Sequence, residues 1–408
     1  MRAVSSRVLE SPVYRRLWFS GVLYYSAYWV EIITTGWIVL ELTDSPFQLG
    51  LSAFCRMLPM LLLGSVFGVV ADRVRQINIL LGIHAVDLCA ALTLAVVFML
   101  GLESIWIIYP LIALIGCGWA ADFSARRTLI DEIQERSLLA NSMSLEALSM
   151  SGSKIFATTT AGLLLAIGEA ALGYWCLAGL YGFGLLWLLD LRRRLPLRDR
   201  PPVESIRLIT SMRSGWTVMM RTPVVRGVFI VTVIINVLVF PYQQLIAIVA
   251  SDILSVGPFW MGLLASADGV GAIATGTWLA FGKGPTRQGA FFASGSAATA
   301  ALLVALALSP IYALSLLIQL ALGVCVGLFG AYQAALVLSA TPAESRARAL
   351  GLIATAIGLT PFGMLLIGGL SSTAGAQTAI ATTGALGLVG LLLVVSFNRS
   401  LRNAQIAG

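Results

Sequence analysis

The chain has 408 residues, 58% of them hydrophobic and only 11% charged. Soluble domains carry roughly 25% charged residues, so these charges are too few to cover a water-soluble protein of this length, whereas a lipid-facing surface needs none. The formal net charge is +7, from 26 Lys and Arg against 19 Asp and Glu; a basic balance can signal nucleic acid, and the positions of the cations exclude that here.

A membrane-spanning helix needs about 20 consecutive, mostly apolar residues. Runs of this kind fall at residues 17–40, 48–70, 77–100, 104–121, 142–167 and 172–189, and after a polar stretch at 227–250, 260–281, 290–308, 311–339, 349–370 and 378–395. The expectation is an all-α membrane protein of twelve transmembrane helices in two groups of six. The N-terminus is basic, but the first run lacks a small-residue cleavage site, so it reads as a retained helix. Cys55, Cys89, Cys117, Cys176 and Cys325 lie in apolar runs without paired spacing. They read as small core residues, not as a disulfide or metal framework.

All Lys and Arg except Arg56 and Lys154 fall in segments 1–16, 71–78, 122–141, 190–226, 282–289, 340–348 and 396–408. These segments alternate with the runs so that all lie on one side, and excess Lys and Arg marks the cytoplasmic side. Both termini are therefore expected in the cytoplasm. The basic residues are short topogenic flanks, and no nucleic acid is implied. Use of Arg over Lys suggests a GC-rich bacterial genome, hence a multi-pass protein of the bacterial cytoplasmic (inner) membrane. The domain division expected is 1–189, a cytoplasmic basic linker 190–226, and 227–408. Part of that linker suits a basic amphipathic helix on the lipid surface.

The halves repeat. Pro46-Phe47-Gln48-Leu49-Gly50-Leu51 opens the second run and Pro258-Phe259-Trp260-Met261-Gly262-Leu263 the eighth, an offset of 212 residues. The same offset sets Gly64 opposite Gly276 and Arg56 opposite Asp268. Parallel six-helix repeats around a central site are a recurring transporter plan.

The stretch Gly68-Val69-Val70-Ala71-Asp72-Arg73-Val74-Arg75 resembles the loop signature of the major facilitator superfamily. SPFQLGLSAFCRMLPMLLLGSVFGVVADR, TPAESRARALGL and Thr360-Pro361-Phe362-Gly363 resemble its macrolide-efflux and enterobactin-exporter branch. The resemblance covers nearly the whole chain and implies the major facilitator fold, with pseudo-symmetric bundles and access alternating between the two faces. Departures exist. Arg75 and Gln76 follow the Asp-Arg pair where Gly and Arg are usual. Ala157-Thr158 stand in place of a Gly-Pro associated with proton-driven export, and Lys154 stands where relatives commonly have Arg.

A conformational latch is expected from Gly68, Asp72, Arg73, Arg75, Asp122, Arg126, Arg346 and Arg348. Asp72 would face the positive N-terminal end of the eleventh helix, and Arg73 and Arg75 would hold Asp122 or Asp131. The alternative is that these residues only set topology.

Ionisable side chains inside a span cost about 2.5–3.5 kcal/mol on insertion scales and are functional suspects. Here they are Glu31, Arg56, Asp87, Lys154 and Asp268, with His84 nearer the inner face. At 1.5 Å per residue Glu31 stands about 21 Å up the first helix and Arg56 about 12 Å below the outer end of the second. In a core of about 30 Å these heights are similar. A Glu31–Arg56 pair is expected, with Glu31 as proton carrier: a carboxyl in a low-dielectric cavity resists ionisation and a nearby arginine favours it. The alternative is a permanent ion pair joining the two helices. The resemblance sets the fifth and eighth helices across the domain interface, implying a Lys154–Asp268 gate, with static packing or substrate binding as alternatives. Asp87 and His84 fall on the third helix, which is peripheral in the family, and His84 reads as a satisfied interfacial residue.

Tyr25, Tyr28, Trp29 and Trp119, with Tyr24, and the polar set Asn236, Gln243, Gln244, Gln319 and Gln333 are candidates to line a cavity. A few polar groups among aromatics suits a bulky amphipathic ligand; aromatic belts and helix-bridging amides are the competing explanations. No GxxxxGK[ST] run is present, so no ATP hydrolysis is expected. One histidine and scattered acids do not make an enzyme centre. The expected function is a monomeric secondary transporter, without metal or cofactor, that exports a small organic compound (drug, macrolide or siderophore-like metabolite) in exchange for protons. An importer of the same fold, or a non-transporting receptor or assembly subunit, is the alternative.

Overall fold

A computed structural model of the chain describes residues 8–135, 138–167, 170–195, 216–217, 219–281, 285–342 and 346–405, leaving the side chains of 64–73, 140, 170, 280, 281, 347 and 348 outside the description. In lipid every backbone N–H and C=O must bond within the protein, and the described residues are helical with no strand. In order they form α1 (Pro12–Thr43), α2 (Pro46–Arg73), α3 (Gln76–Met99), α4 (Ile105–Ile133), α5 (Leu139–Ala166), α6 (Ala170–Arg194) and α7 (Pro223–Ile234). Then come α8 (Pro258–Phe281), α9 (Gln288–Ala307), α10 (Tyr312–Ala340), α11 (Arg346–Ile357), α12 (Thr360–Ala374), α13 (Ala376–Phe397) and the short α14 (Arg399–Arg402). Several begin at a proline, whose missing N–H costs nothing in a first turn.

Among the described residues nine helices are long and apolar enough to cross a membrane. The first, fifth and eighth predicted runs are not among the nine, although α1, α5 and α8 are continuous helices of 32, 28 and 24 residues. Their Ser, Thr, Tyr and Gly content, together with Glu31, Lys154 and Asp268, lowers their hydropathy.

Other boundaries differ from expectation. α4 runs to Ile133, twelve residues past the predicted end at 121, and α6 to Arg194, inside the predicted linker. Residues 196–215 and 218 of that linker lie outside the described residues. The run at 227–250 is not one regular helix: α7 passes into a π segment, Ile235–Val239, a 3-10 segment, Phe240–Leu245, one α turn, Ile246–Ile248, and a second π segment, Val249–Ile253. Pro241 cannot donate to the preceding turn, and the ladder changes period around it. The run at 349–370 breaks between α11 and α12, just before Pro361. The cysteines are not core: Cys89 is exposed and the other four are half-buried, at no cost where the outer surface is itself apolar.

The chain divides into two compact units, Met1–Thr43 with Cys55–Ser205, and Asp44–Phe54 with Ile206–Gly408. Within the first, α1 packs on α5 and α6, α3 on α4 and α6. Within the second, α7 and its continuation pack on α11, α12 and α13, and α9 on α10 and α13. The same scheme recurs, as duplication requires. The backbone repeats too. Asp44 and Ser255 both have positive φ, 46° and 51°, in the turns leading to Pro46 and Pro258. A Cβ on Gly116 of α4 would overlap the carbonyl oxygen of Arg56 on α2 and lie 2.9 Å from its carbon. A Cβ on Gly323 of α10 would overlap the carbonyl oxygen of Asp268 on α8 and lie 2.5 Å from its carbon. Arg56 and Asp268, the residues the repeat sets opposite one another, each cross a glycine two helices further on.

Candidate functional site

The first unit buries two charged groups in succession along α1. At the first, Arg56 Nε stands 3.5 Å from Glu31 Oε2, with both side chains at 5% exposure or less. α1 supplies Glu31; α2 is held close enough to supply Arg56 because Gly116 lets α4 pass against its backbone. The guanidinium lies 4.9 Å from the centroid of Tyr28, a favourable placement of a cation on a π face. Glu31 Oε2 and Arg56 Nη1 form no hydrogen bond among the described residues, so the ion pair is close without being fully bonded.

Aromatic rings continue from there. Tyr28 stacks on Trp119 of α4 at 4.0 Å and meets Trp29 edge-on at 5.0 Å. Tyr25 approaches Trp119 edge-on at 6.0 Å, and Lys154 Nζ of α5 lies 4.3 Å from the Trp29 ring. Trp29 Nε1 also donates to the Met150 carbonyl at 3.2 Å. Tyr25, Tyr28, Trp29 and Trp119, singled out in sequence, are therefore one contiguous surface shared by α1, α4 and α5.

The second group corrects the expectation for Asp122 and Arg126. Sequence placed both in a cytoplasmic loop, with Asp122 held by Arg73 or Arg75. Both instead lie within α4 and are about 1% exposed. They are one helical turn apart, and Arg126 grips Asp122 through both oxygens, Nη2 to Oδ1 at 2.6 Å and Nε to Oδ2 at 2.9 Å. Its Nη1 donates to the Leu17 carbonyl at 3.1 Å and to Ser20 Oγ at 2.9 Å, tying α4 to α1. The guanidinium matches the carboxylate bidentately, so Asp122 is held within its own helix.

Glu146 of α5 completes the group and was missed in sequence, where it stood four residues into a predicted run and looked like a flank. It is 3% exposed. Its Oε1 accepts from Tyr25 Oη at 2.5 Å and lies 3.6 Å from Arg126 Nε. The available signals were an acid inside a predicted span and Asp122 and Arg126 at i, i+4 spacing, which continues a helix instead of ending it.

Asp87 and His84 are both fully buried on α3. Asp87 Oδ2 accepts from Tyr24 Oη at 3.2 Å, and His84 Nδ1 pairs with the Leu80 carbonyl at 2.9 Å. Of the remaining latch residues, Arg346 is exposed and its Nε points to the Thr341 carbonyl at 3.4 Å. Arg75 is half-buried where α3 begins. The side chains of Gly68, Asp72, Arg73 and Arg348 lie outside the described residues.

In the second unit the expected polar set is buried or half-buried and largely bonded inside the protein. Asn236, in the π segment, donates to the Thr232 carbonyl at 2.9 Å and accepts from Thr360 Oγ1 at 3.0 Å. Gln333 Nε2 donates to Thr232 Oγ1 at 2.8 Å, and Gln319 Oε1 accepts from Tyr242 Oη at 2.8 Å. Gln243 and Gln244 lie on the 3-10 segment. Gly363 of α12 sits against Pro241, where a Cβ would come 2.6 Å from the ring, so the Thr360–Gly363 motif docks at the irregular part of the seventh run. Asp268 is buried where α8 crosses Gly323. π and 3-10 interruptions of this kind cluster at functional positions.

A family model described as transmembrane secretion effector matches residues 5–406. An uncharacterised MFS-type transporter, YfiS of Bacillus subtilis (strain 168), is 24% identical over 226 residues, 55% of this chain and 53% of that protein. The chain thus spans about half the length of the curated relative it matches. Among solved structures, a peptide transporter, POT, superposes with a TM-score of 0.75 at 12% identity, covering 95% of this chain and 94% of that one. A bacterial homologue of the human lysosomal transporter Spinster gives 0.70 at 14% identity, covering 97% of each. The nucleoside transporter NupG gives 0.69 at 11% identity over 94% of this chain and 98% of its own.

Proposed function

Because this chain belongs to the transmembrane secretion effector family of major facilitator transporters, we propose that it exports a bulky amphipathic organic compound in exchange for protons, by alternating access. That it is a multi-pass membrane transporter of this superfamily is given by the family; direction, substrate class and coupling ion are the proposal. With it go twelve spans, the division into 1–189, a linker and 227–408, both termini cytoplasmic, and the inner membrane of a bacterium. The near-complete segregation of Lys and Arg supports that topology. The family's own description as a secretion effector favours export over import, and the motif resemblance favours the macrolide and siderophore branch.

The observation that carries the reading is the buried Glu31–Arg56 pair beside the stacked Tyr28 and Trp119 rings. A proton on Glu31 cancels its charge and releases Arg56 from its only close anion among the described residues. Loading and unloading that proton then shifts the balance between arrangements of α1 and α2, which is how differential binding drives a conformational equilibrium. In the same scheme Lys154 and Asp268 gate the two halves, and the loop after α2 latches one access state.

The test uses cells lacking their own efflux pumps, expressing wild type or Glu31→Gln. Intracellular accumulation of macrolides, cationic dyes and catecholate siderophores is followed with and without a protonophore. Wild type should lower accumulation of at least one compound, and both Glu31→Gln and the protonophore should abolish that. Accumulation that rises instead identifies an importer. Export that survives Glu31→Gln with unchanged pH dependence removes the proton role of Glu31.

A further inference from the structure

The Asp122–Arg126–Glu146 group holds two carboxyls and one guanidinium, all buried. Asp122 alone neutralises Arg126, since both its oxygens are bonded to that side chain. The guanidinium has little left for a second anion: Nε and one Nη2 hydrogen go to Asp122, and Nη1 goes to Leu17 and Ser20. Glu146 Oε1, at 3.6 Å from Nε, is outside hydrogen-bond reach. The single donor to Glu146 is Tyr25 Oη, and Oε2 has no hydrogen-bond partner among the described residues. Gly21 sets the backbone of α1 against the group: a Cβ there would stand 3.3 Å and 3.5 Å from the two Glu146 oxygens. The titratable and charged groups facing Glu146 are Tyr14 and Tyr25 from α1, and Asp122, Arg126 and Arg127 from α4. Arg127 is turned away, with Nη1 on the Phe123 carbonyl at 3.0 Å.

We infer that Glu146 is a second proton-binding site, carrying a proton whenever Asp122 holds Arg126. An ionised Glu146 would add an uncompensated negative charge to a buried group, and such a charge costs far more than its protonated form. The proton comes from water, adds to Oε2, and leaves the same way; no other bond changes. Because Asp122 and Glu146 compete for one guanidinium, Arg126 controls the site. When its grip moves from Asp122 to Glu146, the proton moves to Asp122 or leaves. This deepens the proposed proton coupling and rests on it for its purpose, but the site itself is defined without any substrate.

The test is infrared spectroscopy of the purified full chain in detergent, following the carbonyl band of protonated carboxyls across pH. Wild type should show a buried carboxylic-acid band that Glu146→Gln removes and Glu31→Gln leaves. Asp122→Asn should remove the same band although Glu146 is intact, because Glu146 then becomes the sole partner of Arg126 and ionises. A purely structural Glu146 would not respond to Asp122→Asn. The inference is overturned if Glu146→Gln leaves the band unchanged, or if Asp122→Asn keeps it at full intensity; the second variant decides the matter should Glu146→Gln fold poorly. Failure of export with the Glu146 band intact would count against the proposed proton-coupled export and not against this site.

Discussion

Substituting Gly116 and Gly323 by alanine probes the repeated helix crossing directly. Each added methyl would land on a neighbouring carbonyl group, at 2.9 Å from the Arg56 carbon and 2.5 Å from the Asp268 carbon. Carbon atoms pack at about 3.5–4.0 Å, and a backbone carbonyl cannot rotate away as a side chain does. The helices must therefore part by roughly 1 Å. Overpacking of this kind costs about 1–3 kcal/mol, and the backbone target puts both variants at the upper end. For a unit of this size about 2–4 °C is lost per kcal/mol, so a midpoint drop of roughly 5–10 °C is expected for each. Gly179 and Gly330 serve as controls, because a Cβ at either meets nothing within 4 Å. Alanine there should be neutral or stabilising by up to about 1 kcal/mol, since glycine is a poor helix residue. The assay is thermal unfolding of the purified variants in one detergent. Gly116→Ala should also loosen the Glu31–Arg56 contact and lower any proton-coupled flux more than Gly179→Ala does. If Gly116→Ala and Gly323→Ala melt with their controls, the close crossings, and the repeat argued from them, are wrong.

Arg126→Leu should lower stability by about 3–5 kcal/mol, the cost of leaving buried partners without their counter-charge. Arg194→Ala, at an exposed pair with Asp190, should leave the unfolding midpoint unchanged in the same assay. Tyr242→Phe removes the hydrogen bond to Gln319 and should cost about 0.6–2 kcal/mol, the range for polar pairs between membrane helices, read in the same melts. Reversing the charge of Lys154 or of Asp268 alone should abolish transport, and reversing both should restore it; absence of rescue rules out the proposed gate.

The candidate residues divide by how a charge sits in the pattern. Glu31, Arg56, Lys154 and Asp268 stand alone in apolar runs, so composition exposes them, and helix rise alone sets Glu31 and Arg56 at a common height. Asp122, Arg126 and Glu146 sit where runs meet polar flanks. Hydropathy reads such positions as the start of water, because it averages over a window and cannot see that a guanidinium has been neutralised by a carboxylate one turn away. Asp87 and His84 lie on a helix that is peripheral by likeness to the family, and their side chains are buried, His84 against the Tyr24 and Tyr181 rings and Asp87 on the Tyr24 hydroxyl. The amide set was legible as buried but not as bonded, since the partners of Gln319 and Gln333 lie 77 and 101 residues away.

The sequence by itself determined the solvent, the class of element and the doubling. Low charge and twenty-residue apolar runs follow from the cost of exposing peptide groups and charges to lipid, a cost met locally, segment by segment. The tertiary structure alone decided where helices end past their apolar stretch, where the seventh run changes period around Pro241, and which of two carboxyls owns Arg126. Those outcomes depend on side chains far apart in the chain arriving at the same point, and hydropathy carries no record of that meeting.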